Sequence, residues 1–155
     1  MNPQSLLILR TTRTNFLTLL NEFSLEQINQ IPKGFSNNLI WNFGHLVVTQ
    51  QLLCYKLSGN KMYISDEMVN KYRKGAKPTT DATKEEVEEL KTLAFDLIDK
   101  FEKDYTANKA MFDTFTEYPT SYGYILKNIE DTISFNNTHE GVHYGYALAL
   151  RKAIV

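Results

Sequence analysis

Residues 136–151 read Asn136-Asn137-Thr138-His139-Glu140-Gly141-Val142-His143-Tyr144-Gly145-Tyr146-Ala147-Leu148-Ala149-Leu150-Arg151. His139 and His143 stand four residues apart, so in a helix their imidazoles share one side, a turn apart. The same side carries Asn136, Tyr146, Leu150 and Ile154. Its C-terminal half is apolar, which turns the stripe toward a core. The spacing predicts a helix from Ile129 to about Lys152, with Asn128 as its cap. The chain holds only three histidines. Three placed at random would give an i, i+4 pair in only about 4% of such chains, so the pair is informative.

The third histidine sits on a comparable stripe, Asn38, Trp41, His45, Val48, Leu52 and Tyr55. That helix opens at Ser36, Asn37 or Asn38, all good caps, runs to about Leu57 and stops at Gly59. Leu6, Leu9, Arg13, Phe16, Leu17 and Leu20 predict a first helix over roughly residues 4–22. Pro32 and Gly34 break the chain after it. Thr83 with Glu86 three residues on reads as a capping box opening a further helix, with Val87, Leu90, Leu93, Ala94, Leu97, Ile98 and Phe101 on one side. Between them lies a connector, residues 60–80, with room for a short helix from Asp66 to Arg73. Residues 108–127 are aromatic-rich, carry Pro119 and Gly123, and read as a loop or short hairpin. The expected fold is all-α, a four-helix bundle with long connecting loops and a short hairpin before the last helix. A chain of 155 residues fits one domain, residues 1–155.

His45, His139 and His143 all lie on inward-facing stripes near the middle of their helices. Three neutral imidazoles meeting at one point suit a divalent first-row metal such as Zn, Ni, Fe or Cu. Such a set leaves coordination positions open for water or substrate, as catalytic sites do. Proton competition for the same lone pairs is expected near the ordinary histidine pKa of about 6.5. Residues 139–143, His-Glu-Gly-Val-His, also match the H-E-x-x-H pattern of zinc peptidases, with Glu140 as general base. Those enzymes usually take a third ligand from downstream, and no His, Asp or Glu follows His143, so the peptidase reading is set aside. Glu140 lies about 100° around the helix from His139 and is expected to flank the metal, as a solvated or supporting carboxylate or as the proton-handling catalytic residue. Gly141 inside a helix suggests close backbone packing. Trp41 and Tyr146, one turn from proposed ligands, are candidates to line a substrate or cofactor pocket, or simply core. Cys54 falls on the side of its helix opposite His45 and reads as a small buried hydrophobe.

Net charge is −1 without a long block of one sign, which argues against a nucleic-acid partner. The single cysteine excludes an internal disulfide and favours the cytoplasm. The run Leu6-Leu7-Ile8-Leu9 is too short for a signal-peptide core, and no stretch is long and apolar enough to span a bilayer. A soluble cytoplasmic protein is expected.

Asn38-Leu39-Ile40-Trp41-Asn42-Phe43-Gly44-His45-Leu46 resembles the second-helix motif of the DinB-like superfamily. His139-Glu140-Gly141-Val142-His143-Tyr144-Gly145-Tyr146, with Arg151, resembles its last-helix motif. Tyr144 and Tyr146 depart from the commonest pattern there. The resemblance implies a four-helix bundle with a three-histidine metal site, and its motif positions fall on His45, His139 and His143. It further implies a divalent metal, Zn or Ni foremost, and a low-molecular-weight thiol as a second cofactor. The implied partners are a small-molecule substrate and a second copy of the chain in a homodimer. The expected function is metal-dependent activation of a thiol or of water for attack on a small electrophile, as in a transferase or hydrolase. The alternative is a non-catalytic metal- or ligand-binding protein related to stress.

Overall fold

In the computed structural model, which describes residues 3–154, four long helices carry the architecture: α1 (Pro3–Leu20), α3 (Leu39–Gln51), α5 (Lys84–Ala107) and α6 (Ile129–Arg151). Two short helices, α2 (Leu25–Asn29) and α4 (Asp66–Tyr72), lie in the connections. An antiparallel pair, β1 (Tyr118–Pro119) and β2 (Ile125–Leu126), forms the hairpin expected before α6. The all-α reading with a short hairpin holds.

Local chemistry explains most of the boundaries. Asn38 caps α3 by accepting from the Trp41 amide, and Asn128 caps α6 by accepting from that of Asp131. Thr83 accepts from the Glu86 amide at the start of α5. The return half of that expected box is absent, because the Glu86 carboxylate is drawn to the Tyr72 hydroxyl (2.6 Å) and Lys71 (2.7 Å). The reciprocal box is instead Ser24–Gln27, which opens α2, a helix the sequence reading missed.

The long helices close a ring: α1 and α3 each pack against both α5 and α6 and touch one another only slightly. The two histidine-bearing helices, α3 and α6, are therefore neighbours. Every residue of α3 is buried, because α2, α4, α5 and α6 cover it from different sides. Phe16, Leu39, Phe43, Leu46, Leu90 and Leu97 fill the main core. A second cluster around Tyr55, Ile98, Phe101 and Phe112 takes in Cys54. Burial pushes that thiol up to about 12, so it is an inert core group, as its spacing implied.

Past Gln51 the helix widens into a π-turn over Leu52–Lys56, marked by the Leu57 amide bonding the Leu52 carbonyl. Such turns recur at functional sites because they re-aim side chains. Here Leu52, Leu53, Lys56 and Leu57 all face one cavity. Gly59, at φ +69°, then ends the element as expected.

Candidate metal centre

α3 brings His45 against His139 and His143 of α6, and one ligand nitrogen from each lies within 4.8 Å of the others. Nε2 of His45 is 3.3 Å from Nε2 of His139. Two nitrogens held at about 2.0–2.1 Å from a tetrahedral ion stand about 3.3–3.4 Å apart, so this pair already has the separation a metal would impose.

The outer nitrogens decide which lone pairs face inward. His45 Nδ1 lies 2.6 Å from the carbonyl of Tyr72, which only accepts, so Nδ1 carries the proton and Nε2 is bare. His143 Nδ1 lies 2.8 Å from Asn42 Oδ1. The Asn42 amide donates to Asn37 Oδ1 and to the Asn38 carbonyl, which fixes its oxygen toward the ring and makes His143 Nδ1 a donor too. His139 has no such support: its Nδ1 is buried without a partner. The inward Nε2 lone pairs of His45 and His143, with Nε2 of His139 beside them, suit a cation.

Electrostatics keeps the rings neutral. Burial first, then the neighbouring rings, push His139 down to about 3. Burial and His45 push His143 down to about 4. Burial also lowers His45, against the opposing pull of the Tyr72 carbonyl. Proton competition thus sits well below the value near 6.5 expected from free histidine, because desolvation penalises each imidazolium.

The support of His45 comes from α4. Its last turn presents the Tyr72 carbonyl to His45 and the Lys71 carbonyl to Trp41 Nε1 (3.0 Å). The Trp41 ring stacks on that of His45, with centroids 4.9 Å apart and planes 10° apart. Gly44 makes room for this clamp: a Cβ there would lie 2.5 Å from the Tyr72 ring. The close approach expected at Gly141 is absent, since a Cβ there meets nothing within 4 Å.

A cavity of about 380 Å³ opens onto His45 and His139. Neither Trp41 nor Tyr146 lines it: Trp41 sits behind His45, and Tyr146 packs edge-on against Phe35. Its walls are Thr49, the π-turn leucines, Val69 and Phe135, with Tyr118, Thr120 and Ser121 arriving from the hairpin segment. Tyr118 is the only aromatic of residues 108–127 in that lining. Of that segment's other aromatics, Phe112 goes into the second core and Tyr122 against Phe135.

Glu140 points elsewhere. It is fully buried, and both its oxygens accept from Arg13, the shortest contact being 2.6 Å to Nη2. Asn136 donates to it as well. Arg13 in turn reaches the Ala94 carbonyl and Gln50. Burial pushes the Glu140 carboxyl above its ordinary range while Arg13 and Asn136 pull it back. The carboxylate is neither solvated nor part of the cavity lining. Arg13 at a core position of α1 was the sequence signal for this pair, and its partner could not be read from spacing.

No helix among the described residues is long and apolar enough to cross a membrane. No curated protein matches the chain. A sequence model of the DinB superfamily matches residues 8–147, which includes all three histidines. With a helical fold of that kind and a three-histidine group able to hold a metal ion, the chain belongs to the DinB superfamily.

Proposed function

We propose that the protein binds one divalent metal ion through Nε2 of His45, His139 and His143 and acts on a small molecule held in the adjoining cavity. The observation that carries this reading is the convergence of three neutral rings whose nearest ligand nitrogens already stand 3.3 Å apart, with Tyr72 and Asn42 fixing the outer nitrogens of two. Zn and Ni both suit three imidazoles with open positions. Bound there, the ion would lower the pKa of a coordinated water or thiol and supply a nucleophile near neutral pH.

The chain's own residues do the rest. Tyr72 and Asn42 orient the ligand rings, and Trp41 buttresses His45. The Thr49 hydroxyl, 3.4 Å from His45 Nε2, lines the cavity beside that ring, where it can hydrogen-bond a ligand atom. The leucine walls exclude water from one side. Glu140 positions α6 through Arg13 in this reading and does not exchange protons with substrate. Cys54 takes no part, so a thiol reaction uses an added low-molecular-weight thiol.

Elemental analysis tests the metal. The wild type should hold about one ion per chain, and His45→Ala, His139→Ala and His143→Ala should each lose most of it. Full occupancy in all three variants would refute the site. The bundle should survive a chelator, because its cores do not include the histidines. Turnover of a model electrophile that needs both metal and thiol, and persists in Cys54→Ser, would mark a transferase. Turnover with metal and water alone would mark a hydrolase. A metal-loaded protein that binds ligands in the cavity but turns over neither panel would be the binding protein. We also propose a homodimer, which light scattering checks; Leu7 and Ile8 of α1 and Val142 of α6 leave apolar surface exposed on adjacent helices.

A further inference from the structure

Charge at the cavity is one-sided. Lys56, Arg73 and Lys74 line it, and no Asp or Glu does, in a chain whose net charge is −1. The chain has four arginines. Arg10, Arg13 and Arg151 each meet a carboxylate within 2.9 Å, whereas no ion pair among the described residues includes Arg73. Lys56 and Lys74 likewise enter none. The three cations are exposed, whereas His45 is buried and His139 half-buried, so the cations form the rim and the histidines the floor. Between them run Leu52, Leu53, Leu57, Val69 and Phe135. The π-turn creates this arrangement by turning Leu52, Leu53, Lys56 and Leu57 to one side. Arg73 follows directly on Tyr72, so its backbone starts beside His45.

From this we infer that the molecule acted upon is a small amphipathic organic anion. Its carboxylate or phosphate head lies among Lys56, Arg73 and Lys74, its apolar body along the leucine wall, and its far end at the three-histidine centre. The inference rests on the proposed use of that centre, yet it concerns the rim and stands or falls separately. Cations of one sign at the mouth of a cleft with apolar, low-dielectric walls attract an anion more strongly than the same charges on an open surface. The cavity volume is at the lower end for small-molecule sites, which calls for a short chain or single ring.

Calorimetric titration of the metal-free and the metal-loaded protein with octanoate, octyl phosphate and octylammonium tests this. One or both anions should bind, and which does so separates a carboxylate from a phosphate head. Octylammonium, with the same tail, should bind about tenfold more weakly or not at all. The triple variant Lys56→Gln/Arg73→Gln/Lys74→Gln should weaken the anion about tenfold with metal content unchanged. Leu53→Trp, which fills the wall and leaves the rim charges in place, should also block it. Equal binding of anion and cation, no binding of either anion, or an anion indifferent to the triple variant or to Leu53→Trp would overturn the inference. Anion binding by a protein that takes up no metal would instead overturn the metal reading and leave this one standing.

Discussion

His139 and Glu140 are adjacent in sequence and enter two buried polar clusters of opposite character. Around Glu140, Arg13, Gln50 and Asn136 form a set closed off from the cavity: the guanidinium donates to both carboxylate oxygens, to Gln50 and to the Ala94 carbonyl, and only Asn136 Oδ1 is left without a partner. Around His139, three rings bring one nitrogen each to a common point, with two of those nitrogens held as bare lone pairs by Tyr72 and Asn42. The first cluster compensates its charge within the protein and joins α1 to α6. The second turns ring nitrogens toward one point beside a cavity. A buried charge met by its counter-ion away from any cavity marks scaffold, whereas ring nitrogens converging beside a cavity mark a site, and this contrast separates the two better than residue type does.

The largest expected effect tests the closed cluster. Arg13→Met leaves the Glu140 carboxylate buried without its cation and should cost about 3–5 kcal/mol in urea unfolding. Pairing it with Glu140→Leu should recover much of that loss, since two apolar groups need no mutual compensation. A single variant of wild-type stability would break the distinction.

Acid should expose the open cluster next. His139 and His143 are held at about 3 and about 4, below the value near 6.5 they regain on unfolding. The unfolded chain therefore takes up protons that the folded chain refuses as pH falls from about 6.5. The contribution is fully present above that value and is lost toward the folded pKa values, at about 1.4 kcal/mol per pH unit for each ring. Unfolding of metal-free protein at about pH 7 and about pH 5 measures this slope, and His139→Ala should flatten it. A slope unchanged by that variant would place the acid sensitivity elsewhere.

Gly44→Ala probes the support of the open cluster without touching the ion pair. The new methyl collides with Tyr72, so the expected loss is about 1–3 kcal/mol, with weaker metal binding as the Tyr72 carbonyl shifts from His45. Stability lost with metal affinity intact would show that the clamp serves packing alone. The smallest effect has the opposite sign. Gly141→Ala meets open space on an exposed helical position and should gain about 0.5–1 kcal/mol, leaving both clusters as they are.

The long helices, the caps at Asn38 and Asn128, the hairpin and the inward stripes of His45 and His139 were legible because they rest on periodicity and on contacts a few residues apart. The α2 box is equally local, but a five-residue helix is too short to show a helical period. Trp41 was placed one turn from His45 correctly, but spacing along a helix does not say whether a ring stands in front of a ligand or behind it. The same limit applied to Glu140, whose angle around α6 was right and whose partner lay 127 positions away.

By itself the sequence determined which long segments are helical, which faces turn inward and which three imidazoles could hold a metal, since each follows from the 3.6-residue turn and the burial of apolar surface. Only the tertiary structure decided that α3 and α6 are neighbours, that α4 supplies the carbonyl fixing His45, that Arg13 claims Glu140, and that a π-turn aims Lys56 at the cavity beside Arg73 and Lys74. Those are contacts between residues far apart in the chain. They are selected by how whole faces pack against one another, which no local pattern encodes.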